Sequence, residues 1–206
     1  MHIVFAGGGT AGHINPALAV AGYLKERHPD AKISYIGKKG GMEEGLVADY
    51  GYDFYGIDVA GFQRKINLKN IKRNIGAVYK VFQSSHEAAL LLKRLNPDVV
   101  VGTGGYVSGP VLRTAAKLKY KTIIHEQNAY PGVTTKMLAG LVDKVLLAMP
   151  EAAKYLKCKN SPVTTGNPVR GELVGRSREE ARLLLGLDDK PVVFSFGGSL
   201  GAEAVL

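Results

Sequence analysis

Three times in this chain a short apolar run leads straight into closely spaced glycines. The three segments are IVFAGGGTAG at residues 3–12, VVVGTGGYVSGP at 99–110 and VVFSFGGSLGA at 192–202. Continuous apolar runs suit strands that are buried on both faces, and glycines after them allow a tight turn into a helix. Because strand-like and helix-like segments also alternate between these points, the strands must pair in parallel with helices covering the sheet. The sequence therefore predicts an α/β fold built on a Rossmann-like, doubly wound parallel sheet.

The predicted elements follow one another at short intervals along the chain. Strands are expected at His2–Ala6, Lys32–Ile36, Asp53–Ile57, Asp98–Val101, Lys121–His125, Lys144–Leu147, Val163–Thr165 and Val192–Phe196. Helices are expected at Ile14–Arg27, Glu43–Tyr50, Leu68–Leu95, Ser108–Leu118, Val133–Gly140, Glu151–Leu156 and Arg178–Leu185. Pro16 and Pro110 are predicted to lie in first helical turns, and Ser108 is predicted to be an N-cap.

A polar stretch rich in glycine, Thr164–Gly175, interrupts this alternation before a further helix and strand begin. Such stretches are typical of linkers between domains. We predict a Rossmann-like domain at residues 1–165, a linker at 166–175 and the incomplete start of a second Rossmann-like domain at 176–206.

The composition narrows the class of protein. Of the 206 residues, 46% are hydrophobic and 22% are charged, which is ordinary for a globular protein. The apolar runs are shorter than the roughly 18–20 residues that a membrane-spanning helix needs, so a cytoplasmic protein is expected. The single cysteine, Cys158, excludes an internal disulfide and a cysteine-based zinc cluster. The net charge of +9 favours an anionic partner.

The first glycine segment has the spacing Gly7-x-Gly9-x-x-Gly12 between a predicted strand and a predicted helix. The backbone amides of such a turn, together with the helix N-terminus, bind phosphate groups. A dinucleotide site also needs an acid about 20 residues further on, but the second strand is followed by Lys38 and Lys39. We therefore expect a phosphate-binding loop without a nicotinamide, flavin or other cofactor. The alternative is that the glycines only permit close packing of strand and helix.

Two polar positions beside the predicted strand ends are candidates for chemistry. His13 stands at a helix N-terminus, which disfavours the charged imidazolium and leaves a ring able to accept a proton. The HEQN run at residues 125–128 ends a strand and suits a hydroxyl-rich ligand. The structural alternatives are a capping or packing role for His13 and a hydrogen-bonded turn for the HEQN run. The sequence lacks a metal-ligand spacing and a D-x-D motif, so no metal site is predicted.

Residues 60–86 contain six basic residues and no acidic residue. The apolar residues there outnumber those needed for one buried helix stripe, and surplus apolar side chains among cations are typical of attachment to an anionic lipid surface. The residues predicted to contact the membrane are Phe62, Arg64, Lys65, Lys69, Lys72, Arg73, Ile75, Tyr79 and Phe82. An ordinary solvated helix face is the main alternative. Nucleic-acid binding is disfavoured because no nucleic-acid-binding motif accompanies the charge.

Five motifs, GGGTAGHINPALAVA, GTGGYVSGP, HEQNAYPG, TGNPVR and GGSLGA, occur in this order. In order and spacing they resemble the MurG family, the peripheral membrane glycosyltransferases of peptidoglycan synthesis, over essentially the whole chain. The resemblance implies a GT-B fold, of which this chain would be the N-terminal half and the start of the C-terminal domain. It also implies an inverting hexosyltransferase that moves N-acetylglucosamine from UDP-GlcNAc to the muramoyl sugar of lipid I. The product would be lipid II, made on the inner face of the cell membrane.

The resemblance also implies roles for particular residues, and it makes residues 1–165 the acceptor-binding domain. His13 would be the catalytic base. The acceptor's diphosphate would lie on two glycine loops, at Gly7, Gly8, Gly9, Thr10, Gly12, Gly102, Gly104, Gly105 and Tyr106. The donor would contact Asn128, Arg170 and Ser199. A side chain introduced at Gly9 or Gly104 is expected to block the ligand and to spare the fold.

Members of this family continue for roughly as many residues again, as a two-domain fold requires. The chain is therefore either a fragment of a longer enzyme or a free-standing half. The alternative function is a non-catalytic module that binds a lipid diphosphate or a sugar nucleotide. Because an incomplete second domain leaves apolar surfaces uncovered, we also expect a homodimer formed through Ser177–Leu206. A monomer in which this segment folds back on the first domain is the alternative.

Overall fold

A computed structural model describes residues 1–59, 83–171 and 175–194. They belong to two units, Met1–Arg170 and Gly171–Leu206. The division falls among the residues predicted as a linker. In the described ranges no helix is both long and apolar enough to cross a membrane.

The first unit is built on a parallel sheet. Its strands are β1 His2–Gly7, β2 Lys32–Lys38, β3 Asp53–Ile57, β4 Val99–Gly104, β5 Lys121–Glu126, β6 Lys144–Leu147 and β7 Val163–Thr164. They lie in the order β3-β2-β1-β4-β5-β6-β7, and each neighbouring pair is parallel. The chain winds outward from β1 to β3 and then returns to β4, so the direction of winding changes between β1 and β4. Open α/β sheets bind their ligands at such a switch point, beyond the carboxyl ends of the strands.

Helices connect these strands and cover the sheet. They are α1 Ala11–Arg27, α2 Met42–Asp49, α3 at residues 83–95, α4 Gly105–Lys117, α5 Val133–Leu138 and a 3₁₀ helix at Pro150–Tyr155. The predicted Rossmann-like, doubly wound sheet is confirmed. The helix predicted at Leu68–Leu95 lies within the described residues only from residue 83 onward.

Alternating residues of β1 supply two hydrophobic cores, one on each face of the sheet. Val4 and Ala6 pack with apolar residues of α3, α4 and α5. Ile3 and Phe5 pack with α1 and α2, where Ile14, Ala17, Leu18 and Val47 are fully buried. A large aliphatic or aromatic side chain stabilises the fold by about 1.5–3 kcal/mol when it is fully buried, so burial on both faces fixes the central strands firmly.

Helices α1 and α4 each begin three residues earlier than predicted. The N-cap of α1 is Thr10 and that of α4 is Gly104, and neither makes a side-chain capping bond. The glycines allow α4 to start directly after β4 and α1 to start after a short turn that follows β1, so Pro16 and Pro110 lie inside the helices and not in their first turns. The predicted N-cap role of Ser108 is likewise wrong, because this residue lies within α4.

The sheet face beside α1 also carries a cavity of about 370 Å³. Its walls are largely apolar and come from α1, β1 and β4 to β6, with Thr165 and Pro168 at one side. The first unit therefore has an incompletely filled apolar surface on this face.

The second unit contains α6, Arg178–Leu184. Ser177 caps it through a reciprocal capping box with Glu180, in which each side chain accepts a bond from the other residue's backbone N–H. Residues 191–194 form no strand, so the strand predicted at Val192–Phe196 is wrong in its described part, and Phe196 lies outside the described residues. A strand needs a hydrogen-bonded neighbour, and the described residues of this unit provide none.

Candidate functional site

The glycine segments at the ends of β1 and β4 touch each other at the switch point. Residues 7–12 are named the first glycine loop and residues 102–106 the second glycine loop. The pairing of β1 with β4 shifts register after Ala6, so that Gly7 pairs with Gly104. A methyl group built on Gly105 would lie 2.1 Å from the carbonyl oxygen of Gly8, so only glycine permits this approach. The two loops therefore form one cluster.

His13 and Tyr106 pack directly against glycines of the opposite loop. A methyl group on Gly104 would lie 2.6 Å from His13 Nδ1, and one on Gly9 would lie 3.0 Å from Tyr106 Cε1. Both glycines also have a positive φ, +105° at Gly104 and +86° at Gly9, which other residues rarely adopt. A side chain at either position would strain the backbone as well as meet a neighbour. The expectation that such substitutions spare the fold is therefore wrong.

The hydrogen bonds of His13 define which ring nitrogen carries the proton. Nδ1 lies 3.1 Å from the carbonyl oxygen of Thr103 and 3.2 Å from Gln127 Oε1, and both oxygens are acceptors. Nδ1 therefore donates, and the neutral ring keeps a lone pair on Nε2. Within the described ranges Nε2 has no hydrogen-bond partner. An unprotonated ring nitrogen that is free to accept a proton is what a general base requires.

Gln127 links His13 to the end of β5. Its Nε2 donates to the carbonyl oxygen of Thr103 at 2.9 Å and approaches His125 Nδ1 at 3.0 Å. His125 Nε2 in turn donates to the carbonyl oxygen of Gly166 at 3.0 Å. Burial lowers the pKa of His125, which favours this neutral ring. A continuous set of hydrogen bonds thus fixes the orientation of His13.

Glu126 organises the turn that follows β5. Its buried carboxylate accepts bonds from Asn128 N at 3.0 Å, from Asn128 Nδ2 at 2.8 Å and from Gly132 N at 3.0 Å. The HEQN run is therefore a hydrogen-bonded turn, as the structural alternative held. Asn128 is nevertheless exposed, and its Oδ1, which takes no part in the bond to Glu126, can accept a hydrogen bond.

The second glycine loop is held by two buried hydroxyl groups. Ser108 Oγ accepts a bond from Gly104 N at 3.1 Å and lies 2.7 Å from the carbonyl oxygens of Ala6 and Gly104. Thr103 Oγ1 donates to the carbonyl oxygen of His13 at 2.6 Å. These bonds join the end of β1, the start of α1 and the start of α4, so both loops are kept in register.

The helices that leave the two loops point their N-termini at the cluster. The N–H groups of a first helical turn have no partner inside the helix, and the helix dipole adds positive potential there. Ala11 and Gly12 supply such amides in α1, and none of the described residues bonds to them. The cluster can therefore hold a phosphate group through backbone amides, and His13 Nε2 can take a proton beside it.

Glu43 and Thr103 belong to this cluster but were missed from the sequence. Glu43 is the second residue of α2, and its buried carboxylate packs against Gly8. Burial and, next, the charge of Glu43 raise the pKa of Tyr106. The pair of glycines before Glu43, Gly40 and Gly41, is the only sequence signal that could have drawn attention to it.

The structure brings the predicted acceptor residues together in this cluster, but only some of them are accessible to a ligand. Gly9, Thr10 and Gly12 are exposed or lie against open space, whereas Gly7 and Gly102 are buried. A methyl group on Gly102 would lie 2.6 Å from Leu112 Cδ2, so its lack of a side chain is explained by helix packing.

Of the predicted donor residues, Asn128 follows Gln127 after the end of β5, whereas Arg170 makes a contact elsewhere in the first unit. Arg170 Nη1 donates to Tyr50 Oη at 3.0 Å, beyond the C-terminal end of α2. Ser199 lies outside the described residues, as do all the predicted membrane contacts: Phe62, Arg64, Lys65, Lys69, Lys72, Arg73, Ile75, Tyr79 and Phe82. The donor-binding roles stay predictions.

A parallel sheet with glycine loops at the β1/β4 switch point defines a Rossmann-like domain, and the family match assigns it as the N-terminal domain of a GT-B glycosyltransferase. Residues 3–147 match the glycosyltransferase family 28 N-terminal domain, and the chain belongs to this family.

Similar proteins agree with this assignment. A protein of Acetivibrio thermocellus is 48% identical over all 206 residues, which make up 55% of its length. One of Ruminiclostridium cellulolyticum is 46% identical over all 206 residues, which are 56% of its length. Both are named UDP-N-acetylglucosamine--N-acetylmuramyl-(pentapeptide) pyrophosphoryl-undecaprenol N-acetylglucosamine transferase. Thus the chain spans about half the length of these relatives.

Among solved structures, MurG of Acinetobacter baumannii is similar to this chain with a TM-score of 0.66 and 32% identity. The similarity covers 83% of this chain and 46% of that one. The resemblance to the MurG family is thereby confirmed.

Proposed function

We propose that this chain is the acceptor-binding half of a hexosyltransferase that transfers N-acetylglucosamine from UDP-GlcNAc to a lipid-linked N-acetylmuramyl acceptor, lipid I. The observation that carries the proposal is the contact between the two glycine loops, with His13 between them and its Nε2 unoccupied. The names of the relatives supply the donor and the acceptor.

In this proposal the acceptor's diphosphate binds to backbone amides of the exposed part of the first loop and of the start of α4. The acceptor hydroxyl attacks the anomeric carbon of the donor sugar, and UDP leaves with the electron pair of the broken bond. His13 Nε2 takes the proton of the attacking hydroxyl. Asn128 presents its amide oxygen to the transferred sugar. Because the loops hold the anion through amides, no bound metal is needed on this half of the site.

Calorimetry on the 206-residue chain tests the proposal. The chain is titrated with a lipid I analogue and, separately, with UDP-GlcNAc. We expect binding of the lipid I analogue, because the two loops and His13 lie in this chain. A folded chain that does not bind the lipid I analogue would contradict an acceptor site on the glycine loops.

The alternative function is a non-catalytic module for a lipid diphosphate or a sugar nucleotide. Both functions predict binding of a diphosphate, so a second experiment separates them. A two-domain enzyme that carries this sequence as its N-terminal half should transfer N-acetylglucosamine, and it should lose this activity with His13→Ala. A two-domain protein that binds the diphosphate but transfers no sugar would favour the module, whereas full turnover in the variant would assign His13 a structural role.

The membrane part of the proposal rests on residues 60–86. We propose that this region attaches the chain to the anionic inner face of the cell membrane, since six cations there stand among surplus apolar residues. Replacing Lys69, Lys72 and Arg73 by Gln should weaken binding to phosphatidylglycerol vesicles, and salt should do the same. The control replaces Lys39, Lys154 and Arg178 by Gln, because these residues are exposed, lie outside residues 60–86 and carry the same total charge. Equal loss in both variants would contradict a localised patch.

We also propose a homodimer formed through Ser177–Leu206. The described residues of the second unit leave Leu183, Val193 and Phe194 at least 79% exposed, and a second copy would cover them. Light scattering is measured on the full chain and on a chain that ends at Gly175. A dimer that persists in the shorter chain, or a monomeric full chain, would contradict this interface.

A further inference from the structure

The buried acid behind the first glycine loop has no part in the mechanism above. Glu43 is 1% exposed, and its Oε1 accepts a hydrogen bond from Lys38 N at 2.8 Å. Three glycines make room for it. A methyl group on Gly8 would lie 2.2 Å from Oε1, one on Gly37 2.6 Å from Cγ and one on Gly41 2.7 Å from Oε2. The carboxylate is thus enclosed by the first loop, the end of β2 and the N-cap of α2.

This position excludes a direct contact between Glu43 and a ligand. In a dinucleotide site an acid at the end of the second strand reaches a ribose hydroxyl. Glu43 is instead buried against Gly8, whereas the loop residues from Gly9 onward are exposed. Its effect on a ligand must therefore be exerted through the loop.

The Glu43 carboxylate lies beside a backbone donor and a helix N-terminus. The bond from Lys38 N satisfies one oxygen, and the carboxylate stands in the first turn of α2, where the helix dipole favours a negative charge. Its potential extends into the cluster. Burial and then the charge of Glu43 raise the pKa of Tyr35, in β2, and that of Tyr106, in the second loop.

A negative charge directly behind Gly8 opposes the binding of an anion to the same loop. Charges separated by a few ångströms interact strongly where the protein limits water, and the sign here is repulsive. The first loop therefore combines amides that attract phosphate with a carboxylate that weakens this attraction. Such a loop is a poor site for a free anion and retains a diphosphate only when the rest of the ligand adds contacts.

We propose that Glu43 is a specificity-determining residue, whose buried charge lowers the affinity of the first glycine loop for free phosphate-type anions such as inorganic pyrophosphate. The proposal rests on the proposed function, in which the loops hold the diphosphate of a larger acceptor. Because free pyrophosphate carries more negative charge than a diphosphate esterified at both ends by a sugar and a lipid, Glu43 repels the free anion more strongly and so favours the larger ligand.

Binding of inorganic pyrophosphate to the 206-residue chain tests this role. Glu43→Gln keeps the shape and the acceptor for Lys38 N but removes the charge. We expect it to bind pyrophosphate about three- to tenfold more tightly than the parent chain. Glu43→Ala also removes the wall behind Gly8, so it should gain less affinity than Glu43→Gln and melt at a lower temperature. A gain in affinity is not what loss of structure alone produces.

Glu44→Gln is the matched control. Glu44 is the next residue of α2, is exposed, and accepts a bond from Gly40 N at 2.9 Å, so the change in net charge and in bonding type is the same. Its affinity for pyrophosphate should stay close to that of the parent. No gain in Glu43→Gln, including no detectable binding, or an equal gain in Glu44→Gln, would overturn the proposal.

The same titrations separate this proposal from the proposed function. A parent chain that binds a lipid I analogue, with no gain for pyrophosphate in Glu43→Gln, keeps the function and overturns the role of Glu43. A gain in Glu43→Gln with no binding of the lipid I analogue supports an anion site tuned by Glu43 and overturns the acceptor.

Discussion

The two glycine loops are alike in sequence but differ in what stands behind them. The first is exposed from Gly9 onward and has the buried carboxylate of Glu43 against Gly8. The second has two consecutive residues of positive φ, Gly104 at +105° and Gly105 at +75°, and is bonded to neutral groups. The same motif thus produces an open loop with a negative charge behind it and a rigid loop with none.

This difference indicates separate roles for the two loops in the site. The second loop is fixed by hydroxyl groups and by the chain of bonds that runs through Gln127, so it sets the geometry of the cluster. The first loop is exposed, and in our proposal it determines which ligands are accepted. His13 directly follows the first loop in the sequence and is hydrogen-bonded to Thr103 in the second loop, and it therefore joins the two.

The largest effect is expected where the loops meet. In a two-domain enzyme that carries this sequence, His13→Ala should lower turnover by about 10²–10⁴-fold, because no other described group presents a free ring nitrogen there. Acceptor affinity should change far less. His28→Ala, at the exposed end of α1, is the control for loss of a histidine. Turnover within a few-fold of the parent would assign His13 a structural role.

The second-largest effect tests the rigidity of the second loop. Gly104→Ala should destabilise the fold by about 1–3 kcal/mol, because a side chain must adopt a positive φ, and it should also displace His13. Urea denaturation measures the change. Gly109→Ala in α4 is the control, since a methyl group there meets only Thr134 Cγ2 at an ordinary 3.8 Å. Equal stability of the two variants would contradict a strained second loop.

A smaller effect is the pH dependence of stability, which arises from His125 beside the second loop. Burial lowers the pKa of His125 below its ordinary value of 6.5. At a pH between the pKa of His125 in the folded protein and 6.5, the unfolded chain binds more protons than the folded chain. The contribution of His125 to stability is therefore full above pH 6.5 and falls as the pH decreases through this range. Protonated His125 also could not accept the bond from Gln127 that supports the second loop.

Proton NMR of the His125 ring, together with melting temperatures between neutral and mildly acid pH, measures this effect. Burial likewise lowers the pKa of His2, so His2→Asn is compared to isolate the share of His125. A His125 ring that titrates at or above 6.5 would contradict the prediction.

The strands were predictable because their signal is local. Asp53–Ile57 and Lys144–Leu147 have the predicted bounds, since short apolar runs between polar residues suffice to define them. The site was less predictable because its contacts join distant parts of the chain. The residues around Ser108 match the pattern of a helix N-cap, but its hydroxyl donates to the carbonyl oxygen of Ala6 in β1. The burial of Glu43, on which its proposed role rests, comes from Gly8, Gly37 and Gly41, which converge on it in space.

The smallest effect tests the openness of the first loop. Gly12 lies in the first turn of α1 with an ordinary φ, and a methyl group there would meet only Thr10 Oγ1 at 3.7 Å. Gly22, in the same helix, has no neighbour within 4 Å of such a methyl group. Alanine at either position should leave stability unchanged or raise it by up to about 1 kcal/mol, because it lowers the entropy of the unfolded chain. Only Gly12→Ala should weaken binding of a lipid I analogue, because its methyl group lies beside the free amides of the first turn. Equal affinity of the two variants, measured by calorimetry, would show that the anion does not bind at this end of α1.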